Sequence, residues 1–253
     1  MKKVAYLMVL AFSMVLLNTN CKKDENESNS VETSLRISKI ADNQAMENPF
    51  YTFEYDTKNL LVRISSENQY SSQYEDIVYN TNKQPIKVTH TDYYLGSIES
   101  SWISNIEWTT KGFTITNNDV YNEINIFELD SHGRIAKNTN IFKPQSSAVD
   151  TTIIIYKWVG DDSLSIENYS ENYKFEKKNH PFSGINLAVL QATNIGYSEW
   201  SEYQNTVLTK KYHETSFDAE ATYTYNDKNY PLKVDIKYTS DEGISHDYIY
   251  FEY

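Results

Sequence analysis

Apolar and aromatic side chains alternate with polar ones along most of the chain after residue 34, and short polar stretches interrupt the alternation. The segment TYTYNDKNYPLKVDIKY, residues 222–238, shows the whole pattern. A period of two sends successive side chains to opposite faces of a β-strand. It places Tyr223 and Tyr225 on one face of a first strand. In a second strand it places four residues on the core-facing side: Leu232, Val234, Ile236 and Tyr238. The charged residues of this strand lie on the opposite side: Lys233, Asp235 and Lys237. The intervening NDKNYP favours a tight turn, so the segment predicts a β-hairpin.

The same unit recurs along the chain, with irregular spacing. Its copies start at Tyr51, Ile77, Ile106, Ile124, Ile154, Asn172 and Thr222. Consecutive hairpins form an antiparallel meander, and curling or closing the sheet removes the exposed edges that promote aggregation. The sequence therefore predicts an all-β fold, an antiparallel meander of repeated hairpins curled into a barrel-like sheet.

One segment departs from this pattern. The apolar residues of NHPFSGINLAVLQATN, residues 179–194, have a spacing closer to that of a helix, and Ser183 is a candidate N-cap. We expect one short helix or packed loop near 183–193.

The N-terminus has the anatomy of a secretory signal peptide. Lys2 and Lys3 precede an apolar run that ends at Leu17, which is shorter than the about 20 residues of a transmembrane helix. Cys21 follows where a lipoprotein signal peptidase would cut. We predict a lipoprotein signal peptide at 1–20, a flexible tether at 21–33 that starts at lipidated Cys21, and a single β-meander domain at 34–253. The alternative is a secreted soluble protein whose only cysteine falls at this position.

Charge restricts the possible partners. The chain of 253 residues has 35 acidic and 23 basic side chains and a formal net charge of −12. Binding to phosphate backbones or to anionic membrane surfaces needs clustered Lys and Arg, and the sequence has no basic stripe. Nucleic acid is therefore excluded as a partner, and the membrane is reached through the lipid anchor.

The unit FELDSHGRIAKN, with Gly133, Arg134 and Ile135 after its turn, resembles YD repeats, which run Tyr-x-Tyr-Asp, a Gly-containing turn and an Arg-Leu alternation. The whole arrangement is similar to a family of Bacteroidetes lipoproteins of unknown function with a porin-like β fold. The shared features are a leader such as CKKDE, hairpins such as YTYNDKNYPLKV, a Pro-Phe segment such as HPFSGINL and a final aromatic strand such as YIYFEY. The resemblance implies an outer-membrane lipoprotein, exposed at the cell surface or facing the periplasm, and it implies no substrate.

Motifs for catalysis, cofactors or metals are absent from the sequence, which has no HExxH, G-x-S-x-G, P-loop or G-x-G-x-x-G. We interpret the histidines as solvated, because no two lie within four residues of each other. Asp161 and Asp162 are interpreted as turn residues, with a calcium loop or a carboxylate pair as the alternative. We therefore predict no catalytic residue, no cofactor and no metal, although two distant glycosidase carboxylates would leave no mark in a sequence.

Aromatic residues are the more informative set. Trp102 and Trp108 lie six residues apart on one strand face, and we interpret them as core residues. Other aromatics lie near predicted loops beside carboxylates and amides, an arrangement that can hold sugars. These candidate ligand-binding residues are Tyr93, Tyr94, Tyr197 and Trp200.

The expected function is a non-catalytic binding or interaction module of the cell envelope, with a glycan or an envelope protein as its partner. A polysaccharide-processing enzyme or an accessory glycan-binding protein is the alternative. An integral outer-membrane barrel is the third possibility, disfavoured because the hairpins predict strands of about seven residues, whereas about 9–11 are needed to cross a bilayer.

Overall fold

The structure of the protein is a computed structural model that describes residues 35–119, 122–143, 148–160, 163–167, 171–176, 178–193, 207–213, 218–240 and 243–253. These residues belong to one unit, Leu35–Tyr253. The predicted signal peptide, Cys21 and the tether lie outside the described residues.

Within the described ranges the chain forms sixteen β-strands in sequence order. Their runs are rich in Tyr, Phe, Ile, Val and Thr, which suit a half-buried pleated surface. The strands are β1 (Lys39–Ala41), β2 (Tyr51–Tyr55), β3 (Leu61–Glu67), β4 (Ser71–Tyr79), β5 (Pro85–Tyr94), β6 (Ser97–Trp108), β7 (Gly112–Asn117), β8 (Ile124–Leu129), β9 (Ile135–Phe142), β10 (Asp150–Val159), β11 (Ser163–Ile166), β12 (Glu171–Glu176), β13 (Val207–His213), β14 (Asp218–Tyr225), β15 (Pro231–Ser240) and β16 (Gly243–Glu252).

Each strand pairs antiparallel with its sequence neighbours, and the sheet closes on itself. The short strand β1 makes the closure, because Ile40 lies opposite both Tyr51 of β2 and Phe251 of β16. The strands therefore form a closed barrel, and the prediction of an all-β antiparallel meander with a barrel-like sheet is confirmed.

The prediction of strands near seven residues is wrong for the longest ones. β6 has 12 residues and β5 has 10. Their hairpin turns at Leu95 and Gly96 alone, so the pairing continues as far as Tyr94 and Ser97.

Four turns share one geometry, which accounts for much of the sequence repeat. After β2, the Asp56 Oδ1 atom accepts the backbone N–H groups of Lys58 and Leu60, both at 2.8 Å. Asn59, the residue before Leu60, has a positive φ of 60°. The side chains of Asn80, Asp130 and Asn226 accept from the residues two and four positions later in the same way. The Asp or Asn at the first turn position therefore sets each of these turns.

A β-bulge follows each of these turns and changes which residues face the core. After the last one, Thr224 pairs with Lys233 and Tyr225 pairs with Pro231, so Leu232 is an extra residue in its strand. The prediction that Leu232 shares the core face with Val234 is wrong: Leu232 is 41% exposed and Val234 is 1% exposed. The inward position of Val234 itself is confirmed.

Aromatic side chains near the ends of four strands bind the first residue of the preceding strand. Tyr79 Oη donates to the Leu61 carbonyl at 2.9 Å, and Trp108 Nε1 donates to the Pro85 carbonyl at 2.9 Å. Trp158 makes the same bond to Ile135, and Tyr253 makes it to Pro231. These bonds satisfy carbonyl groups beside the bulges, where the ladder is locally disrupted.

One short helix, α1 (Leu187–Ala192), fills the barrel interior near these turns. Its buried side chains belong to the same core cluster as Val88 and Ile115 of the barrel wall. The prediction of a short helix in this segment is confirmed, but the proposed cap is wrong. Asn186 caps the helix by accepting the Ala188 N–H at 2.9 Å, and Ser183 lies in the turn before it.

The predicted hairpin at Asn172 is also wrong. After β12 the chain enters the barrel, where Phe182 packs against Phe53 at a ring distance of 6.0 Å. β12 then pairs with β13. No helix within the described residues is long and apolar enough to cross a membrane.

Candidate functional site

The meander places alternate connections at opposite ends of the barrel. We call the end with the turns that start at Asp56, Asn80, Asp130 and Asn226 the helix end, because α1 lies there, and we call the other end the distal end. β1 runs antiparallel to β2, so Leu35 precedes the barrel at the helix end. Tyr253 follows β16 at the same end. The described chain therefore begins and ends at the helix end.

The interior of the barrel changes from apolar to polar toward the distal end. Three successive inward pairs between β4 and β5 show the change. Ile77 faces Val88, the next pair is Glu75 with His90, and the pair after that is Gln73 with Asp92.

His90 lies at the centre of a buried polar chain. Its Nδ1 atom is 3.3 Å from Glu75 Oε1, and its Nε2 atom is 2.9 Å from Ser104 Oγ. The Ser104 hydroxyl donates to Asn117 Oδ1 at 2.7 Å. Glu75, His90 and Ser104 are only 8%, 3% and 2% exposed. The chain therefore links four adjacent strands inside the barrel.

A narrow pocket lies beside this polar chain; its volume is about 10 Å³, room for about one water molecule, and it opens to solvent. Its lining combines aromatic and aliphatic side chains with polar ones: Tyr51, Ile64, Tyr74 and Trp102 with Ser66, Gln73, Glu75, His90 and Asp92. The His90 ring stacks on Trp102, with centroids 4.7 Å apart and planes at 5°. Asp92 accepts a hydrogen bond from Ser100 Oγ at 2.7 Å. The lining thus offers a fixed indole and several oxygen acceptors.

Tyr74 borders the pocket from the outer face of the barrel, because it shares its strand face with Asp76 and not with Glu75. Its hydroxyl donates to Glu67 Oε1 at 2.7 Å, and this hydrogen bond raises the pKa of Tyr74. The Arg63 guanidinium lies 5.4 Å from the Tyr74 ring centroid. The candidate residue Tyr93 packs edge-on against Tyr74, with centroids 5.6 Å apart. Tyr93 therefore lies on the outer face of the barrel and does not line the pocket.

The other sequence candidates are not brought together with Tyr93. Tyr94 is 52% exposed and is not among the residues that line the pocket. Tyr197, Trp200, Asp161, Asp162 and Cys21 lie outside the described residues.

The sequence reasoning missed Glu75, His90 and Trp102 as members of one site. The interpretation of all histidines as solvated is wrong for His90 and His180, which are each 3% exposed. It holds for His132 and His246, which are exposed. The missed signal is the symmetry of the hairpin about the Asn80 turn, which places His90 directly opposite Glu75.

A second polar group continues the interior on β8 and β9. Asn140 Nδ2 donates to Asn125 Oδ1 at 3.0 Å and also to Glu123. Asn138 Nδ2 lies 3.4 Å from the same Asn125 oxygen. Among the described residues, no three His, Cys, Asp or Glu side chains lie close enough together to hold a metal ion.

No protein-family model matches the chain, and a search of curated proteins found no match. Among solved structures, the chain is similar to a porin-like protein from Bacteroides vulgatus ATCC 8482, with 10% identity and a TM-score of 0.45 over 87% of this chain and 99% of that one. It is also similar to a porin-like protein from Bacteroides uniformis ATCC 8492, with 10% identity and a TM-score of 0.40 over 85% of this chain and 97% of that one. Both similarities concern the fold alone.

Proposed function

We propose that the protein is a non-catalytic binding protein of the cell envelope, anchored through lipidated Cys21, and that its ligand binds at the mouth of the pocket beside Trp102. The observation that carries the proposal is the pocket itself. Buried polar groups such as Glu75 and His90 cost stability unless every one is paired, and apolar residues of similar size would fill a barrel more cheaply. A polar interior at one end of the barrel therefore points to a role in binding.

The lining favours a neutral ligand rich in hydroxyl groups. Glu75, Asp92 and Gln73 offer acceptors for hydroxyl donors, and none of the lining residues is Lys or Arg, so anions are disfavoured. Trp102 and Tyr51 supply apolar surface for the C–H faces of a sugar ring. We therefore infer that the ligand is a glycan.

The direction of the chain supports a role in display. Leu35 lies at the helix end and the pocket lies toward the distal end. A tether from lipidated Cys21 would therefore join the barrel at the end opposite the pocket.

An enzyme is the second candidate, because Glu75, His90 and Ser104 follow the order of an acid–base–nucleophile relay. The contacts favour binding instead. Ser104 is 2% exposed, it is not among the pocket-lining residues, and its hydroxyl proton is donated to Asn117. Glycoside hydrolysis is still an alternative to test, because Glu75 and Asp92 place two carboxyl groups in one pocket, as glycosidases require.

The outer face of the barrel supports an aqueous environment over a lipid one. Charged pairs lie on it between adjacent strands, with Arg63–Asp76 at 2.7 Å and His246–Asp235 at 2.8 Å. A Lys or Arg that faces lipid costs up to about 2–4 kcal/mol at the bilayer midplane.

A binding screen of the full-length protein against neutral glycans tests the proposal. We expect saturable binding without turnover, weakened at least about tenfold by Trp102→Ala and by the milder Asp92→Asn, which removes one charged acceptor. Tyr94→Ala is the control, because it removes an exposed ring outside the pocket and should leave the affinity unchanged. Turnover of a bound glycan would establish the enzyme. Absence of binding to every neutral glycan, or loss of binding in Tyr94→Ala alone, would overturn the pocket proposal.

A further inference from the structure

We propose a second binding site, for a phosphate group, at the helix end of the barrel, where Arg36 and Tyr55 hold buried hydrogen-bond donors without an acceptor. This site is independent of the pocket beside Trp102. It rests on two unsatisfied donors, on their position in the repeat and on a neighbouring cavity.

Tyr55 is a member of the repeat that has lost its partner. It precedes the Asp56 turn as Tyr79 precedes the Asn80 turn, and Tyr79 donates to the Leu61 carbonyl of the preceding strand at 2.9 Å. The hydroxyl of Tyr55 is buried and makes no hydrogen bond to any described residue. The chain before β1 continues alongside β2, where the Ser38 carbonyl accepts the Phe53 N–H, but the Tyr55 hydroxyl bonds to no carbonyl there. A buried hydroxyl without a partner is costly, which points to an acceptor supplied from outside the chain.

Arg36 lies over the ring of Tyr55 and carries the second donor. Its guanidinium carbon is 5.9 Å from the Tyr55 ring centroid, and its Nη1 atom is buried without a hydrogen-bond partner among the described residues. The other two arginines each contact a carboxylate at 2.7 Å, Arg63 with Asp76 and Arg134 with Asp130. In a chain with a net charge of −12, Arg36 is thus the arginine left without a carboxylate in the described part of the chain. Its charge and geometry fit an oxyanion.

A cavity opens beside Leu61, the residue that pairs with Tyr55. It has a volume of about 260 Å³, and apolar residues form part of its wall: Leu60, Leu61, Tyr79 and Ile185. Burial raises the pKa of Tyr79 to about 12, and the nearby positive charge of Arg36 opposes that rise, as it does for Tyr55. Arg36 lies near the Tyr55 ring, and Tyr55 pairs with Leu61 of the cavity wall, so the guanidinium is close to the cavity. Lys83 lines the same cavity and adds a second cation.

The combination of cations, a hydroxyl donor and an apolar wall suits a phosphate group that carries an apolar body. Such a group is available either as free phosphate or as the headgroup of a lipid. Anchoring through Cys21 would bring the lipid source to this end of the barrel, since Leu35 lies there.

Thermal unfolding of the full-length protein in an uncharged maltoside detergent tests the site with two probes, inorganic phosphate and short-chain phosphatidic acid. We expect saturable stabilisation by at least one probe, because a ligand that binds only the folded state raises the melting temperature. Stabilisation by both probes identifies the phosphate group alone as the ligand. Stabilisation by phosphatidic acid alone identifies a lipid headgroup whose chains use the cavity.

Three variants assign the effect to the two donors. Arg36→Gln should raise the apparent Kd about tenfold or more, and Tyr55→Phe should raise it by about three- to tenfold, because a charged hydrogen bond contributes more than a neutral one. Arg63→Gln is the matched control. It removes the same charge from a guanidinium that is already paired, and it should change the Kd less than about twofold. Tyr55→Phe keeps the packing and so tests the site even where Arg36→Gln disturbs folding.

Two results would overturn the proposal. One is the absence of saturable stabilisation by either probe, which would mean that water alone satisfies the two donors. The other is equal affinity in the wild type, Arg36→Gln and Tyr55→Phe. Trp102→Ala should leave phosphate binding intact, which separates failure of this site from failure of the glycan pocket.

Discussion

Simple alternation predicts that Leu232 and Val234 face the same side of the sheet, but the bulge after the Asn226 turn leaves Leu232 exposed and Val234 buried. Mutations at the two positions should therefore differ in their effect on stability. Leu232 and Val234 are two positions apart, yet Leu232 is 41% exposed and Val234 is 1% exposed. Val234→Asp places a carboxylate inside the barrel wall without a partner, which costs about 3–5 kcal/mol, and the lost burial of the valine adds to this cost. Leu232→Asp places the same carboxylate in water and should change the free energy of unfolding by less than about 0.5 kcal/mol.

Urea unfolding followed by far-UV circular dichroism measures both variants. A domain has a total stability of only about 5–15 kcal/mol, so the loss expected for Val234→Asp should shift the midpoint strongly or prevent folding. The turn at Asn80 offers an independent copy of the comparison, because Ile86 is 38% exposed and Val88 is 0% exposed. We expect Ile86→Asp to be tolerated and Val88→Asp to be damaging. If Leu232→Asp and Ile86→Asp were as harmful as their partners, the strands would alternate without a bulge, and the account of the repeat would be refuted.

Three further changes test other parts of the structure. Trp108→Phe keeps an aromatic ring but leaves the Pro85 carbonyl without its 2.9 Å hydrogen bond. A denaturant melt should show that the free energy of unfolding falls by about 1–3 kcal/mol. Burial alone would raise the pKa of Asp130, but hydrogen bonds from Arg134 and His132 lower it overall. A carboxyl group whose pKa is lowered by folding stabilises the fold above its unfolded pKa of about 3.9, so the stability difference between wild type and Asp130→Asn should be constant near neutral pH and shrink below about pH 4. An unchanged difference across that range would show that Asp130 does not act through its charge. Cys21→Ala should leave the protein uncleaved or release it from membranes, because the thiol carries the lipid. Full partition of this variant into the detergent phase would contradict lipid anchoring.

Much of the fold is local in origin and could be predicted for that reason. Alternation and a turn-forming Asp or Asn lie within about fifteen residues of each other, which is enough to define a hairpin. The bulges could not be predicted from the sequence. Their extra residues, Leu232 and Ile86, are apolar and therefore fit the alternation of apolar and polar positions. The failed hairpin at Asn172 has a non-local cause. Phe182 and the residues of α1 are apolar because the closed barrel has an interior to fill, and closure depends on the pairing of β1 with β16.

The candidate site shows why residue type alone was insufficient. Glu75 and Asp76 are adjacent carboxylates in one strand, and the sequence offers no reason to separate them. The structure turns Glu75 inward to His90, whereas Asp76 points outward to Arg63 at 2.7 Å. Trp102 and Trp108 are both predicted to be core residues, but only Trp108 packs against the core cluster, whereas Trp102 lines the pocket and stacks on His90 of the neighbouring strand. The exposed ring of Tyr94 looked more like a ligand contact than these residues did, because a pocket built by the register of several strands leaves no local trace.

The apolar core that stabilises the barrel lies at the helix end, whereas the proposed binding site lies toward the distal end. The largest fully buried side chains include Phe113, Phe182 and, within α1, Leu190, and all three belong to one apolar core cluster. That apolar packing closes the interior there, so the polar half depends mainly on its strand ladders and on the internally paired chain through His90. A pocket whose His90 and Ser104 are already paired can remain folded without ligand, and it can still present Trp102 and Asp92 to a ligand at its mouth. This division is what a binding protein needs, because affinity gained by ordering the site in advance is not lost to reorganisation when the ligand arrives.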